Sequence, residues 1–108
     1  MAPKRILIVE GQAAFATAHA AEVEKAGYAA VIVHNGAAAV RALQQDSGFG
    51  AVMVDLNLPD TTGLAWLRAN PDILEHYPVI LTTADASLAT AVDAMRIGAF
   101  DYLVKPIA

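Results

Sequence analysis

Four polar side chains stand directly after four short apolar runs. Ile6-Leu7-Ile8-Val9 gives way to Glu10, and Ala51-Val52-Met53-Val54 to Asp55. Val79-Ile80-Leu81-Thr82 gives way to Thr83, and Tyr102-Leu103-Val104 to Lys105. Two carboxylates, a hydroxyl and an ammonium are the groups that hold a cation and a phosphoryl group, provided that a fold gathers them. Open parallel sheets bind ligands in the crevice outside the carboxyl ends of their strands. The four residues therefore predict a small site at one rim of such a sheet.

The positioning elements follow from the alternation of β-branched runs with longer alanine-rich stretches, which marks βα units. The predicted strands run from Arg5 to Val9, Ala30 to His34, Ala51 to Val54, Val79 to Thr82 and Asp101 to Val104. They are continuously apolar, as strands covered on both faces must be. A first helix is expected over Ala13 to Ala26, stopped by Gly27, and a second over Ala37 to Gln45 after the turn Asn35-Gly36. A third starts near Gly63, carries Leu64 and Leu67, and is ended or restarted by Pro71. Ser87 is the expected N-cap of a fourth, Leu88 to Ile97, closed by Gly98. The count is five strands and four helices in an α/β doubly wound five-stranded parallel sheet. Only the flavodoxin-like order 2-1-3-4-5 makes the ends of strands 1, 3, 4 and 5 neighbours, leaving His34 outside the group. A fifth helix that would cover one face is absent from the chain, which predicts a longer parent chain or a covering partner.

The chain has 108 residues, of which 56% are hydrophobic and 17% charged, so residues 1–108 form one folded domain rather than a disordered segment. A net charge of -4 argues against nucleic-acid binding by this segment, because that binding rests on Lys and Arg. With no cysteine, thiolate metal sites and thiol nucleophiles are excluded. The N-terminal apolar run is too short for a membrane span and lacks a leader's cleavage pattern, so a cytoplasmic location is expected.

Asp55-Leu56-Asn57-Leu58-Pro59-Asp60-Thr61-Thr62-Gly63 resembles the phosphoacceptor loop of two-component response-regulator receiver domains. Thr82-Thr83-Ala84 and the run Gly98 to Pro106 resemble the family's two later motifs, and the likeness spans the whole chain. The stretch from Tyr77 to Ile107 is most similar to receivers of NtrC-type AAA+ transcription activators. The resemblance implies that Asp55 accepts a phosphoryl group from a sensor histidine kinase. Lys105 would pair with the phosphoryl oxygens, Thr83 would donate a hydrogen bond to them, and Tyr102 would be the ring that turns inward with Thr83. A cis Lys105-Pro106 bond would aim the lysine, and Asn57 and Asp85 would tune dephosphorylation. Mg2+ would be the cofactor, held by Glu10, Asp55 and the backbone carbonyl of Asn57. Signalling would pass through the surface from Ser87 to Val104 to an output domain or partner protein, a surface that also allows a homodimer. The chain would be the N-terminal part of a longer response regulator, a phosphoprotein and not an enzyme.

One position departs from the family. Its first strand is usually followed by two adjacent acids, and here the pair is Glu10-Gly11, with uncharged Gln12 next. The second acid normally ligates Mg2+ directly. Losing even an outer partner of a metal site costs about 10–100-fold in affinity or activity, so weak Mg2+ binding and slow or absent phosphorylation are expected. The alternative reading is a degenerate pseudo-receiver, an interaction module that works without phosphate. A haloacid-dehalogenase-type phosphatase fits poorly, because it wants an Asp two residues after its nucleophile, at the end of the first strand. A nucleotide or flavin protein fits poorly too, since Glu10-Gly11-Gln12-Ala13-Ala14 is no phosphate-binding loop.

Smaller readings complete the sequence. Phe15, Ala18, His19, Glu22 and Val23 form one helical stripe on which His19 and Glu22 are expected to be solvated. Trp66 is expected to pack on its helix, and His34 and His76 to be surface residues.

Overall fold

The computed structural model describes residues 4–84 and 87–105. Its strands are β1 (Arg5–Val9), β2 (Ala29–Val33), β3 (Phe49–Asp55), β4 (Val79–Thr83) and β5 (Asp101–Val104). Its helices are α1 (Ala13–Lys25), α2 (Gly36–Gln45), α3 (Gly63–Ala69), α4 (Pro71–His76) and α5 (Leu88–Arg96). All strand pairs are parallel and the order is β2-β1-β3-β4-β5, as the sequence predicts.

The helix count differs from the expected four, because Pro71 starts a separate helix. Asn70 has a non-helical backbone and ends α3, and proline occupies the first turn of α4, where its missing N–H costs nothing. The expected fourth helix is therefore α5, with Ser87 capping the backbone N–H of Thr90. Strand β3 begins two residues before its predicted start, because Phe49 is buried and pairs with Arg5. Gly27 and Gly98 end α1 and α5 with φ of 95° and 100°, a left-handed turn that costs glycine little.

Side chains alternate across the sheet. Leu7, Val9, Val52, Val54, Val79 and Leu81 face the larger core, against Ala39, Trp66, Leu67, Ile73 and Ala94 from α2 to α5. Ile6, Ile8, Ala51 and Met53 face the other side, where Val23 of α1 meets them. Among the described residues this second face has a single helix, and a shallow apolar cleft lies beside α1, floored by Ile6, Met53 and Ile80.

The α1 stripe is rotated from expectation. Its buried line is Ala16, His19 and Val23, whereas Ala18 is exposed. Glu22 is half-exposed and lies 3.7 Å from Lys25, but His19 is buried with neither ring nitrogen hydrogen-bonded. The solvated reading of His19 is thus wrong. Small alanines on both sides let the helix seat its imidazole against the sheet, and that burial holds the ring's pKa down.

Candidate functional site

The rim assembles because strands β1, β3, β4 and β5 are contiguous. β1 ends at Val9 and turns into α1, so Glu10 stands in the crevice. β3 ends in Asp55 itself. Here the chain must fold back sharply: the N–H of Gly63 donates to the Leu56 carbonyl at 2.8 Å. A Cβ on Gly63 would stand 2.6 Å from the Asp55 carbonyl oxygen, so only glycine permits this return. Thr83 ends β4, and its carbonyl accepts from the Lys105 backbone N–H at 2.7 Å. That bond carries the last residue of the rim into place.

Lys105 Nζ donates to Glu10 Oε1 at 2.7 Å and to Asp55 Oδ2 at 3.0 Å. All three side chains are 1–3% exposed. The Phe15 ring lies against the same ammonium, 4.2 Å from its centroid, a cation–π contact from the first turn of α1. The other carboxylate oxygens are also engaged. Glu10 Oε2 accepts from the Gln12 N–H at 3.1 Å and Asp55 Oδ1 from the Asn57 N–H at 3.2 Å. Burial is the largest influence on the Glu10 carboxyl and pushes its pKa up, against the pull of Lys105.

Thr83 is buried beside this triad and lines a cleft of about 300 Å³ with Asn57, Thr62, Arg68 and Thr90. Tyr102 is half-buried, packed on the larger core opposite Leu81 in the neighbouring strand. Asp85, Pro106 and the bond to Pro106 lie outside the described residues. His34 is exposed, but it is not remote from the rim: its Nδ1–H donates to the Glu10 carbonyl at 2.9 Å. His76 is exposed, and its Nδ1–H donates to the Asp72 carbonyl at 2.7 Å.

Three contributors had no signal in the sequence that singled them out. Asp60 accepts from the backbone N–H groups of Gly36 and Ala37 at 2.9 and 3.1 Å, tying the loop after β3 to the start of α2. These bonds lower its pKa. His34 and Phe15 are the others. Trp66 is buried and reaches across to the same helix end, its Nε1–H donating to the Gly36 carbonyl at 3.0 Å.

A doubly wound parallel sheet with two acids, a threonine and a lysine at its carboxyl rim defines the class of receiver domains. The model of the response regulator receiver domain matches residues 6–108, and the chain belongs to that family. It is 39% identical over 101 residues to the uncharacterized transcriptional regulatory protein YkoG of Bacillus subtilis, covering 94% of this chain and 44% of that protein. It is 34% identical over 110 residues to the transcriptional regulatory protein DpiA of Escherichia coli K12, covering 99% and 48%. The chain thus spans less than half the length of these two curated relatives. Their description as transcriptional regulators agrees with the expected kinship to receivers of transcription activators. Among solved structures, a response regulator from Burkholderia pseudomallei superposes with a TM-score of 0.84 at 32% identity, over 97% of this chain and 61% of that one. That structure contains a phosphorylated aspartic acid and a calcium ion.

Receivers hold a divalent cation at this rim, but the residues here do not fit one as they stand. All four oxygens of Glu10 and Asp55 already accept hydrogen bonds, two of them from an ammonium. Gly11 offers no oxygen from a side chain. The space beside it is filled, because an ideal Cβ there would stand 2.8 Å from Pro59 Cδ. Among the described residues, no three His, Asp or Glu side chains converge as a metal-binding group.

Proposed function

We propose that this receiver accepts a phosphoryl group on Asp55 from a sensor histidine kinase. The observation that carries the reading is the Asp55 carboxylate set at the sheet rim, 3.0 Å from the Lys105 ammonium, with Thr83 buried at the end of the adjacent strand. In the transfer, a carboxylate oxygen attacks phosphorus, the P–N bond of the donor phosphohistidine breaks, and its electron pair returns to a ring whose other nitrogen carries a proton, so that neutral imidazole leaves. Such transfers rest on positioning and on charge placed against the equatorial oxygens. Lys105 supplies that charge and the Thr83 hydroxyl a hydrogen bond. Glu10, Asp55 and the Asn57 carbonyl would hold Mg2+ only once Lys105 had released both acids, and weakly because Gly11 contributes no ligand; there the ion would add charge compensation.

Phosphorylation then biases two pre-existing conformations through Thr83 and Tyr102. The readout surface is α5 and β5, Ser87 to Val104, where it meets an output domain, a partner protein or a second copy. Support comes from its exposed apolar side chains, with Leu88 81% and Phe100 71% exposed. Patches of that kind mark contact sites.

A second reading, the pseudo-receiver that docks without phosphate, is favoured by Gly11 and by the internal pairing of both acids. Phosphoramidate with Mg2+, followed by mass spectrometry and amide shifts, decides between them. One added phosphoryl group, absent in Asp55→Asn, with shifts spreading from Asp55 to Tyr102, is the expected result. An unmodified Asp55 and an unchanged spectrum would leave the phosphate-independent module.

A further inference from the structure

We infer that Phe15 is the positioning residue that holds the Lys105 ammonium on the Glu10–Asp55 pair. The inference rests on the receiver reading of the rim and concerns how its charge is balanced. Three observations converge. The ammonium bonds one oxygen of each acid, at 2.7 and 3.0 Å, with all three side chains shielded from water. The fourth side of the ammonium is covered by the Phe15 ring at 4.2 Å, which leaves it no face toward solvent. The position that would bring another acid is Gly11, where an added Cβ would stand 2.8 Å from Pro59 Cδ.

Two buried carboxylates in contact with one cation need that cation, because an unpaired charge in such surroundings is strongly unfavourable. A tethered ammonium meets the need without any dissociable ion. A divalent ion must therefore displace Lys105 from both acids before it can be bound, and the aromatic face resists that displacement. Arrival of a phosphoryl group offers the ammonium new oxygens and is the event that draws it away from Glu10.

The test is a titration of the 15N-labelled 108-residue chain with Mg2+ alone, following the amides of Glu10, Asp55 and Asn57. Phe15→Leu keeps an apolar side chain but removes the ring face, and it should bind Mg2+ about fivefold more tightly than the wild type. Phe15→Tyr keeps the face and should match the wild type. Lys105→Met should bind more than about tenfold more tightly; if it fails to fold, the Phe15 pair still decides. Equal Mg2+ affinity in the wild type and in folded Phe15→Leu overturns the inference, as does Phe15→Tyr behaving like Phe15→Leu. Phosphoramidate treatment of the same samples keeps the two readings apart. Phosphorylation of Asp55 with unchanged Mg2+ affinities sinks only the Phe15 assignment. No phosphorylation in any sample sinks the receiver reading and leaves the affinities to judge Phe15.

Discussion

Glu10 is the residue at which burial and charge are most at odds. Its carboxyl leaves water to meet Lys105, and burial raises its pKa above the ordinary 4.5. Between that value and the raised one, the folded chain keeps a proton that the unfolded chain has lost. This contribution to stability is complete below 4.5 and disappears as pH rises through the folded value. Glu10→Gln should remove that slope while keeping the Lys105–Asp55 pair, and urea titrations across the window will show it. Asp46 has the opposite sign. Its ion pair with Arg5 holds its carboxyl down to about 2, so its contribution is present above the ordinary 3.8 and fades as pH falls through about 2. Asp46→Asn should flatten the acid limb of the same curve.

At the scale of elements, the start of α2 is the joint between site and scaffold. Asn35 Oδ1 accepts from the Ala38 N–H at 2.8 Å, Asp60 takes the two preceding N–H groups, and Trp66 takes the Gly36 carbonyl. Asn35→Ala should cost about 1 kcal/mol in urea unfolding, the ordinary worth of such a cap. The strands, α1, α2, α5 and their glycine stops were legible because each is a local pattern: apolar runs, a capping residue, a left-handed stop. The rim of Glu10, Asp55, Thr83 and Lys105 was legible because each member directly follows such a run. The split at Pro71 was less so, since proline either ends a helix or begins one, and the Asn70 backbone decides. The grip of Asp60 on α2 spans 24 residues and the seat of Phe15 on Lys105 depends on helix rotation. Neither leaves a trace in local spacing. The same rotation put His19 inside, against expectation.

At the scale of the whole molecule, the two faces of the sheet are unequal. One carries α2 to α5 over the larger core, and the other carries α1, with His19 beneath it. An imidazole whose two nitrogens find no partner costs stability, and protonation costs more. Its folded pKa lies below 6.5, so its stability term is full above that value and is lost as pH falls through the folded pKa. His19→Leu should raise the stability of the 108-residue chain by about 1 kcal/mol at neutral pH and flatten its decline on mild acidification, both read from melting curves. Among the described residues, no helix is long and apolar enough to cross a membrane.

The ammonium that quiets the two acids arrives 95 positions after the first of them. During translation, the sheet's opening strands emerge with both carboxylates and without their counter-charge. Only the final strand delivers it. A chain cut short before β5 therefore keeps Glu10 and Asp55 but lacks the ammonium that balances them in the finished domain.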